Sequence, residues 1–444
     1  QVWVVQWACS LLGVKTVSQC RLLFTLASGG KVNKTESSIF FSPRVSPQKK
    51  RLIKEVAGMQ VSNEIGKYLG FPLVAHRKRR ETFHYIIERV QSKLSMWKAS
   101  YLSMAGRITL AKSILSTIPL YPLHVTKLPT CICLEVERLQ RNFICGHDNS
   151  QTCFHLVGWD LITRPKQYGG LGFRRLALVN RACGAKLAWK LVVGSGGFWA
   201  DILQTKYMYR DDDSLLHWRP RDSSLWKFIC SQSDLVDMGT KWQVRNGETV
   251  RFFSDQWLLK GETILESCTR PLSVEESNSV VVDWVSEGHW DLPRLSNCVD
   301  NAMIQRLISV IPPRAAAGND FLMWGAEKDG NFSIRSAYSL IETNPSHLQS
   351  NLFKQIWKWG GAERIKVFLW KVVLNKLPTN EWRSRWSSAS PVCGFCHLQT
   401  ESLLHIVRDC IYARQMWLSL LAPRYVNPFF STSLRNWVAM NLKR

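Results

Sequence analysis

Acidic residues are scarce in this chain and missing from its opening: Gln1–Ala27 holds neither aspartate nor glutamate. Clustered carboxylates hold magnesium in two-metal phosphoryl transfer, so this stretch excludes such a centre. Over the whole chain of 444 residues, 58 lysines and arginines face 34 aspartates and glutamates, a formal net charge of +24. That excess points to a polyanionic partner, nucleic acid ahead of an anionic membrane surface. Long apolar runs are missing too. Lys15 and Arg21 interrupt the fairly apolar opening, and no run reaches the ~18 apolar residues of a membrane span, so neither a membrane segment nor a secretory signal is expected. A regular cysteine framework is also lacking. The thirteen cysteines are irregularly spaced, which predicts reduced thiols in an intracellular protein of nucleus or cytoplasm. The chain opens on glutamine, as expected of a fragment or of a sequence whose start is lost.

Against these absences stand Cys393, Cys396, His405 and Cys410. Three thiols and one imidazole at C-x2-C-x8-H-x4-C spacing make a complete tetrahedral ligand set, for which zinc is the natural occupant. Cys-Gly-Phe-Cys is short enough for a turn that aims both thiolates at one ion, and Gly394 relieves its backbone. His405 and Cys410 lie five residues apart, about 500° around a helix of about 3.6 residues per turn, so one regular helix could not aim both inward. The spacing therefore predicts one short helix over Glu401–Val407 and a second opening at Cys410 and running through Arg414 and Trp417. Coincidence or a degenerate site is the other reading. A thiol oxidoreductase built on Cys393 and Cys396 is disfavoured because no β-α-β unit surrounds them.

Residues 38–45 and 67–74 are short aromatic and β-branched runs that read as strands. Basic clusters accompany them, Lys49, Lys50, Arg51 and Lys54, then Arg77, Lys78, Arg79 and Arg80; each is either a solvated face or a set of phosphate contacts. From Phe83 to Ile118 the apolar pattern is helical, and another helix is expected over Leu134–Phe143. Gly169–Phe173 makes a turn before a long helix. Without the Walker lysine and serine, this turn reads as structural rather than phosphate-binding. Residues 198–345 are rich in tryptophan, which core packing explains better than base stacking. Within them Val244–Phe253 reads as a hairpin turned by Asn246-Gly247. Ile356–Leu374 is again helical.

Several stretches together resemble the reverse transcriptase of plant non-LTR (LINE-type) retrotransposons: KYLGFPL at 67–73, WKASYLSMAGRITLAKSILSTIP at 97–119, WDLITRPKQYGGLGF at 159–173, WQVRNGETVRFFSDQW at 242–257 and NFSIRSAY at 331–338, followed by 367–378 running into the quartet. The resemblance implies a mostly helical α+β chain. Residues 1–82 would be a degenerate N-terminal segment and palm remnant, with Tyr68-Leu69-Gly70 in the hairpin that steadies the primer end. Residues 83–149 would be a thumb-like helical region, 150–345 a connection region, 346–425 the zinc-binding module and 426–444 a C-terminal tail. In such elements a ribonuclease H domain commonly follows. The thumb lies along the template–primer duplex, which makes Lys93, Lys98, Arg107 and Lys112 candidates for backbone contacts beside Arg77, Lys78, Arg79 and Arg80. An ordinary solvated helix is the competing reading.

Two departures qualify the resemblance. The family's catalytic motif, an aromatic, any residue and two aspartates, belongs just before residue 28, where no acid stands. Where the family carries lysine, Glu36 would repel incoming phosphates. Tyr209-Arg210-Asp211-Asp212 matches the motif's letters but lacks flanking apolar strand residues, so a surface acidic loop is expected. The expected function is a zinc-containing, nucleic-acid-binding remnant of a reverse transcriptase, with no catalytic residues, no membrane and no small-molecule substrate. A fragment of an active polymerase whose catalytic part lies upstream, or a non-functional pseudogene product, are the alternatives.

Overall fold

The computed structural model describes residue 26 and residues 38–41, 45–62, 67–68, 71–72, 80–97, 99–146, 155–208, 216–258, 262–342 and 351–442. The chain divides into two compact units, Gln1–Tyr85 and Ile86–Arg444. In the first, strand β1 (Ser38–Phe40) lies parallel to β2 (Gln60–Ser62), with Ile39 opposite Val61, and helix α1 (Pro47–Ala57) joins them. Local chemistry sets the limits of α1. The Ser46 hydroxyl accepts the Lys49 N–H, Pro47 supplies a helical φ at the first turn, and Gly58, at φ 63°, ends it with an N–H to the Lys54 carbonyl. Lys49, Arg51 and Lys54 are exposed along it. Within the run expected as a strand at 67–74, the described residues form two short antiparallel strands, β3 (Lys67–Tyr68) and β4 (Phe71–Pro72), and 69–70 and 73–74 lie outside the described residues.

The second unit is mostly helical. Helix α2 (His84–Ser95) buries Ile86, Ile87 and Val90. Helix α3 (Met104–Leu110), capped by the Ser103 hydroxyl, continues into a wider π turn over Ala111–Leu115. Then come α4 (Leu120–Val125), α5 (Thr130–Cys145) and the central α6 (Leu176–Val192). Apolar residues surround α6 rather than striping it, as a helix packed on all sides requires. Two buried polar side chains fix its place. Asn180 donates to the Leu123 and Thr126 carbonyls and accepts the Leu128 N–H, which ties the proline-containing link to α6. Glu137 on α5 accepts the Leu176 N–H at the start of α6 and the Trp159 indole N–H. Helices α7 (Ser224–Cys230) and α8 (Ser233–Gly239) also pack on α6.

The tryptophan-rich stretch forms its own core, in which Phe252, Phe253, Trp257, Trp284 and Trp290 are buried together. Packing is thus the role of these rings. The hairpin expected over Val244–Phe253 does not form. Strand β5 (Thr240–Gln243) pairs instead with β8 (Phe321–Trp324), while β6 (Val285–Ser286) and β7 (His289–Trp290) make a hairpin of their own. The Asp320 carboxylate accounts for the difference. It accepts the N–H groups of Arg245, Gly247 and Thr249, which draws the Asn-Gly turn away from a hairpin geometry. Beyond it, Phe252 donates to the Ser279 carbonyl and Val281 to that of Val250.

Helix α9 (Ile334–Ile341) returns to α6, and α10 (Asn351–Lys358) and α11 (Glu363–Val373) follow. The helical run expected from Ile356 is thus broken at Gly360-Gly361. Bonds cross the boundaries expected at 149/150 and 345/346: the Glu137 carboxylate on α5 accepts the Leu176 N–H across the first, and the Trp370 indole on α11 donates to the Gly169 carbonyl across the second. Among the described residues no helix is long and apolar enough to cross a membrane.

Candidate metal centre

Past α11 the chain makes the short helix α12 (Asn380–Ser384), started by the Thr379 hydroxyl on the Trp382 N–H. It then enters a compact loop in which Val392 bridges Thr400 in antiparallel fashion. Cys393 leaves this bridge with its N–H on the Gln399 carbonyl at 2.8 Å, and its own carbonyl accepts the His397 N–H at 3.0 Å. His397 closes the turn at φ 56°, a left-handed conformation that histidine tolerates better than β-branched residues. The expected helix break is present. A π turn over His405–Asp409 ends where Cys410, at φ −53° and ψ 140°, begins α13 (Ile411–Leu420). The Cys410 N–H bonds the His405 carbonyl at 2.7 Å, so the wider turn folds the two ligands towards one point.

The donor atoms of Cys393, Cys396, His405 and Cys410 all lie within 4.8 Å of one another. Tetrahedral zinc with Zn–S near 2.3 Å sets its sulfurs about 3.8 Å apart, so contraction by about an ångström would close the shell. Cys393, His405 and Cys410 are buried. His405 Nε2 stands 3.3 Å from Cys396 Sγ, and its Nδ1 is buried with no hydrogen-bond partner. The backbone N–H of Leu398, with that of Gln399, holds the Cys396 thiol down to about 6, while burial pushes the Cys410 thiol up. A cluster holding one thiol ready as thiolate, with a buried imidazole nitrogen lacking a partner, suits a cation better than a disulfide.

Two residues that support this cluster were not singled out in the sequence. Glu401 is buried, and its carboxylate accepts the Asn380 N–H at 2.9 Å, the Asn380 side-chain amide at 3.1 Å and the Gly394 N–H at 3.3 Å. It thereby locks the Cys-Gly-Phe-Cys turn to α12. The available signal was an acid between two pairs of ligands in an otherwise basic chain. Arg408 is also buried. It forks onto the Asp409 carboxylate and donates to the Phe429 and Thr432 carbonyls. Those carbonyls belong to α14 (Val426–Ser431) and its end, and α15 (Leu434–Leu442) follows. Trp437 of α15 meets Trp417 edge-on at 5.7 Å. The segment read as a tail is thus folded against the module.

The eight cations expected at phosphates fare unequally. Arg77, Lys78, Arg79 and Lys98 lie outside the described residues, as does the acidic loop at 209–212. Arg80 and Lys93 are exposed. Arg107 is engaged inside the fold, donating to the Ile144, Ala99 and Leu102 carbonyls. Lys112 is half-buried, donates to the Leu171 carbonyl and stands 5.2 Å from the centre of the Phe173 ring. Burial, helped by nearby Lys166, pushes its ammonium down to about 8. It lines a cavity of about 300 Å³ with Ile108, Lys166, Trp357 and Val367. For these two cations the structure gives internal partners in place of the expected solvent-facing side. The Gly169–Phe173 turn is structural, as expected. Its amides serve the Ile162 and Arg164 carbonyls, and a Cβ on Gly170 would fall 1.9 Å from the Arg164 oxygen.

Residues 332–417, which span α9 to α13 and contain all four ligands, match the family model described as zinc-binding in reverse transcriptase. The match begins before the boundary expected at 346. Among known proteins the chain is 33% identical over 378 residues to a protein of Arabidopsis thaliana named "Putative ribonuclease H protein". That alignment covers 84% of this chain and 61% of the relative, so the chain spans about three-fifths of that relative's length. A second relative, an "Uncharacterized mitochondrial protein" of the same plant, is 21% identical over 143 residues, 32% of this chain and 93% of the relative.

Proposed function

We propose that this chain is a zinc-containing, nucleic-acid-binding part of a plant LINE-type retrotransposon reverse transcriptase and does not itself carry polymerase catalysis. The observation that carries the reading is the convergence of Cys393, Cys396, His405 and Cys410 inside the stretch matched as reverse-transcriptase zinc-binding. Zinc held there would supply structural cross-linking: four protein donors leave no open position for a substrate or water. The net charge of +24 supports a nucleic-acid partner inside the cell, met through charge and backbone shape. Exposed Lys93 and Arg80, with Arg77, Lys78, Arg79 and Lys98, are the contacts we assign to it. The lack of any acid in Gln1–Ala27 supports the absence of polymerase chemistry.

Metal analysis of the purified chain should find one zinc, lost in Cys393→Ser. Filter binding should show affinity for nucleic acid falling by orders of magnitude between ~50 and ~200 mM salt, with little sequence preference. A chain without zinc, or a salt slope near zero, overturns the corresponding half of the reading. Primer extension that Asp211→Ala with Asp212→Ala abolished would overturn the claim of no catalysis.

A further inference from the structure

Three elements of the second unit converge on a cysteine that the metal cluster does not use. Cys145 is the last residue of α5 and is half-buried. Its Sγ stands 3.1 Å from His155 Nδ1, a hydrogen-bonding distance for a sulfur–imidazole pair. Two cations lie near it: Arg107 of α3, whose guanidinium bonds the Ile144 carbonyl and stands 2.8 Å from where a Cβ on Gly146 would fall, and Lys371 of α11, which interacts electrostatically with the Cys145 sulfur. Burial pulls Lys371 and Arg107 below their ordinary values, and the Cys145 sulfur opposes that pull in both. Arg107 is held in place by its bonds to the Ile144, Ala99 and Leu102 carbonyls, so its charge is fixed beside the thiol.

We propose that Cys145 is a reactive thiolate, held by His155, Arg107 and Lys371, and that it is a site of modification by peroxides and soft electrophiles. Reactive cysteines are partly exposed and sit among positive charges, whereas buried cysteines in apolar surroundings are inert. The other thiols of the unit supply the contrast. Burial pushes Cys133 and Cys230 up to about 12 and Cys183 up to about 11. The end of α5 opposes a negative sulfur, and the charges of Arg107 and Lys371 outweigh it because the helix terminus amounts to roughly half a charge. With a peroxide, the sulfur attacks one peroxide oxygen. An S–O bond forms as the O–O bond breaks, the thiolate is oxidised to a sulfenic acid, and the departing oxygen leaves as hydroxide or alkoxide. With iodoacetamide, the S–C bond forms as iodide leaves.

The test is the pH dependence of iodoacetamide alkylation at Cys145, read by peptide mass spectrometry on the zinc-loaded full chain and on the same chain in urea. The folded midpoint should lie at least one pH unit below the unfolded one. Near pH 6.5 alkylation should be about threefold or more faster in the folded protein, the gain in thiolate exceeding the loss of nucleophilicity. His155→Gln and Lys371→Gln should each move the midpoint upward, with the rate at Cys131, an exposed cysteine in the first turn of α5, unchanged. Dimedone labelling after dilute hydrogen peroxide should report Cys145 sulfenic acid and be lost in Cys145→Ser. A folded midpoint equal to or above the unfolded one overturns the proposal, whatever the variants do.

Discussion

The Trp370 indole N–H donates to the Gly169 carbonyl at 2.8 Å across 201 residues of sequence. This bond fastens the helix leading to the metal cluster to the glycine-rich turn ahead of the central helix. Gly169 has φ 83°, and a Cβ there would fall 2.8 Å from the Phe353 ring. Trp370→Phe leaves a buried acceptor without its donor and opens a small void, a destabilisation of about 2–4 kcal/mol. Gly169→Ala should act in the same direction. Urea unfolding followed by circular dichroism checks both; an unchanged midpoint would show that this junction is slack.

Glu401 serves the metal cluster without being one of its four donors. Replacing it by leucine frees the Gly394 and Asn380 N–H groups from their common acceptor and loosens the Cys-Gly-Phe-Cys turn. Zinc affinity should fall about 10- to 100-fold. Competition against a chromogenic chelator measures it, and Glu401→Gln should fall between wild type and leucine because it keeps one acceptor oxygen.

Lys112 makes a pH-dependent contribution whose sign is fixed by burial. Its folded value of about 8 lies below that of an unfolded lysine, about 10.4. Between those values the unfolded chain binds the extra proton, so this group's contribution to stability rises as pH climbs from 8 towards 10. Below pH 8 the buried charge is a constant cost. The stability of Lys112→Met relative to wild type should therefore decline by about 1–2 kcal/mol over that window, a range reduced because solvent reaches part of the side chain. Parallel urea titrations at pH 7.5 and 10 decide it; equal differences at both would contradict the shift.

Nucleic-acid binding should divide the cations into two groups. Alanine at Arg77, Lys78, Arg79 and Arg80 together should lower the salt slope on duplex DNA by up to about 0.9 per lost phosphate contact. Alanine at Arg107 and Lys112 should lower thermal stability and leave the slope unchanged, because both are engaged within the fold. A slope that moves with the second pair and not the first would reverse the assignment.

The quartet and its broken helix were legible because ligand chemistry and helical geometry constrain residues close together in sequence. Helix limits such as Ser46 and Gly58 follow from equally local rules. What escaped depends on partners far away. Asn246-Gly247 reads as a hairpin turn until Asp320, more than seventy residues on, takes its N–H groups. Arg107 and Lys112 read as a basic helix face because their acceptors, the Ile144 and Leu171 carbonyls, carry no sequence signal at all. Glu401 looks like any surface acid until Asn380 and Gly394 are seen to converge on it.

Arg408 has a consequence for where this protein can be cut. Standing two residues before Cys410, it links the ligand segment to the chain beyond residue 425 through the Phe429 and Thr432 carbonyls. Removing everything after residue 425 would strand a buried guanidinium whose remaining partner is its neighbour Asp409. Such a truncation should shed its ion more readily than the full chain. Conversely, chelation should expose helices α14 and α15 to protease, so the metal and the last seventeen described residues, 426–442, rise and fall as one folding unit.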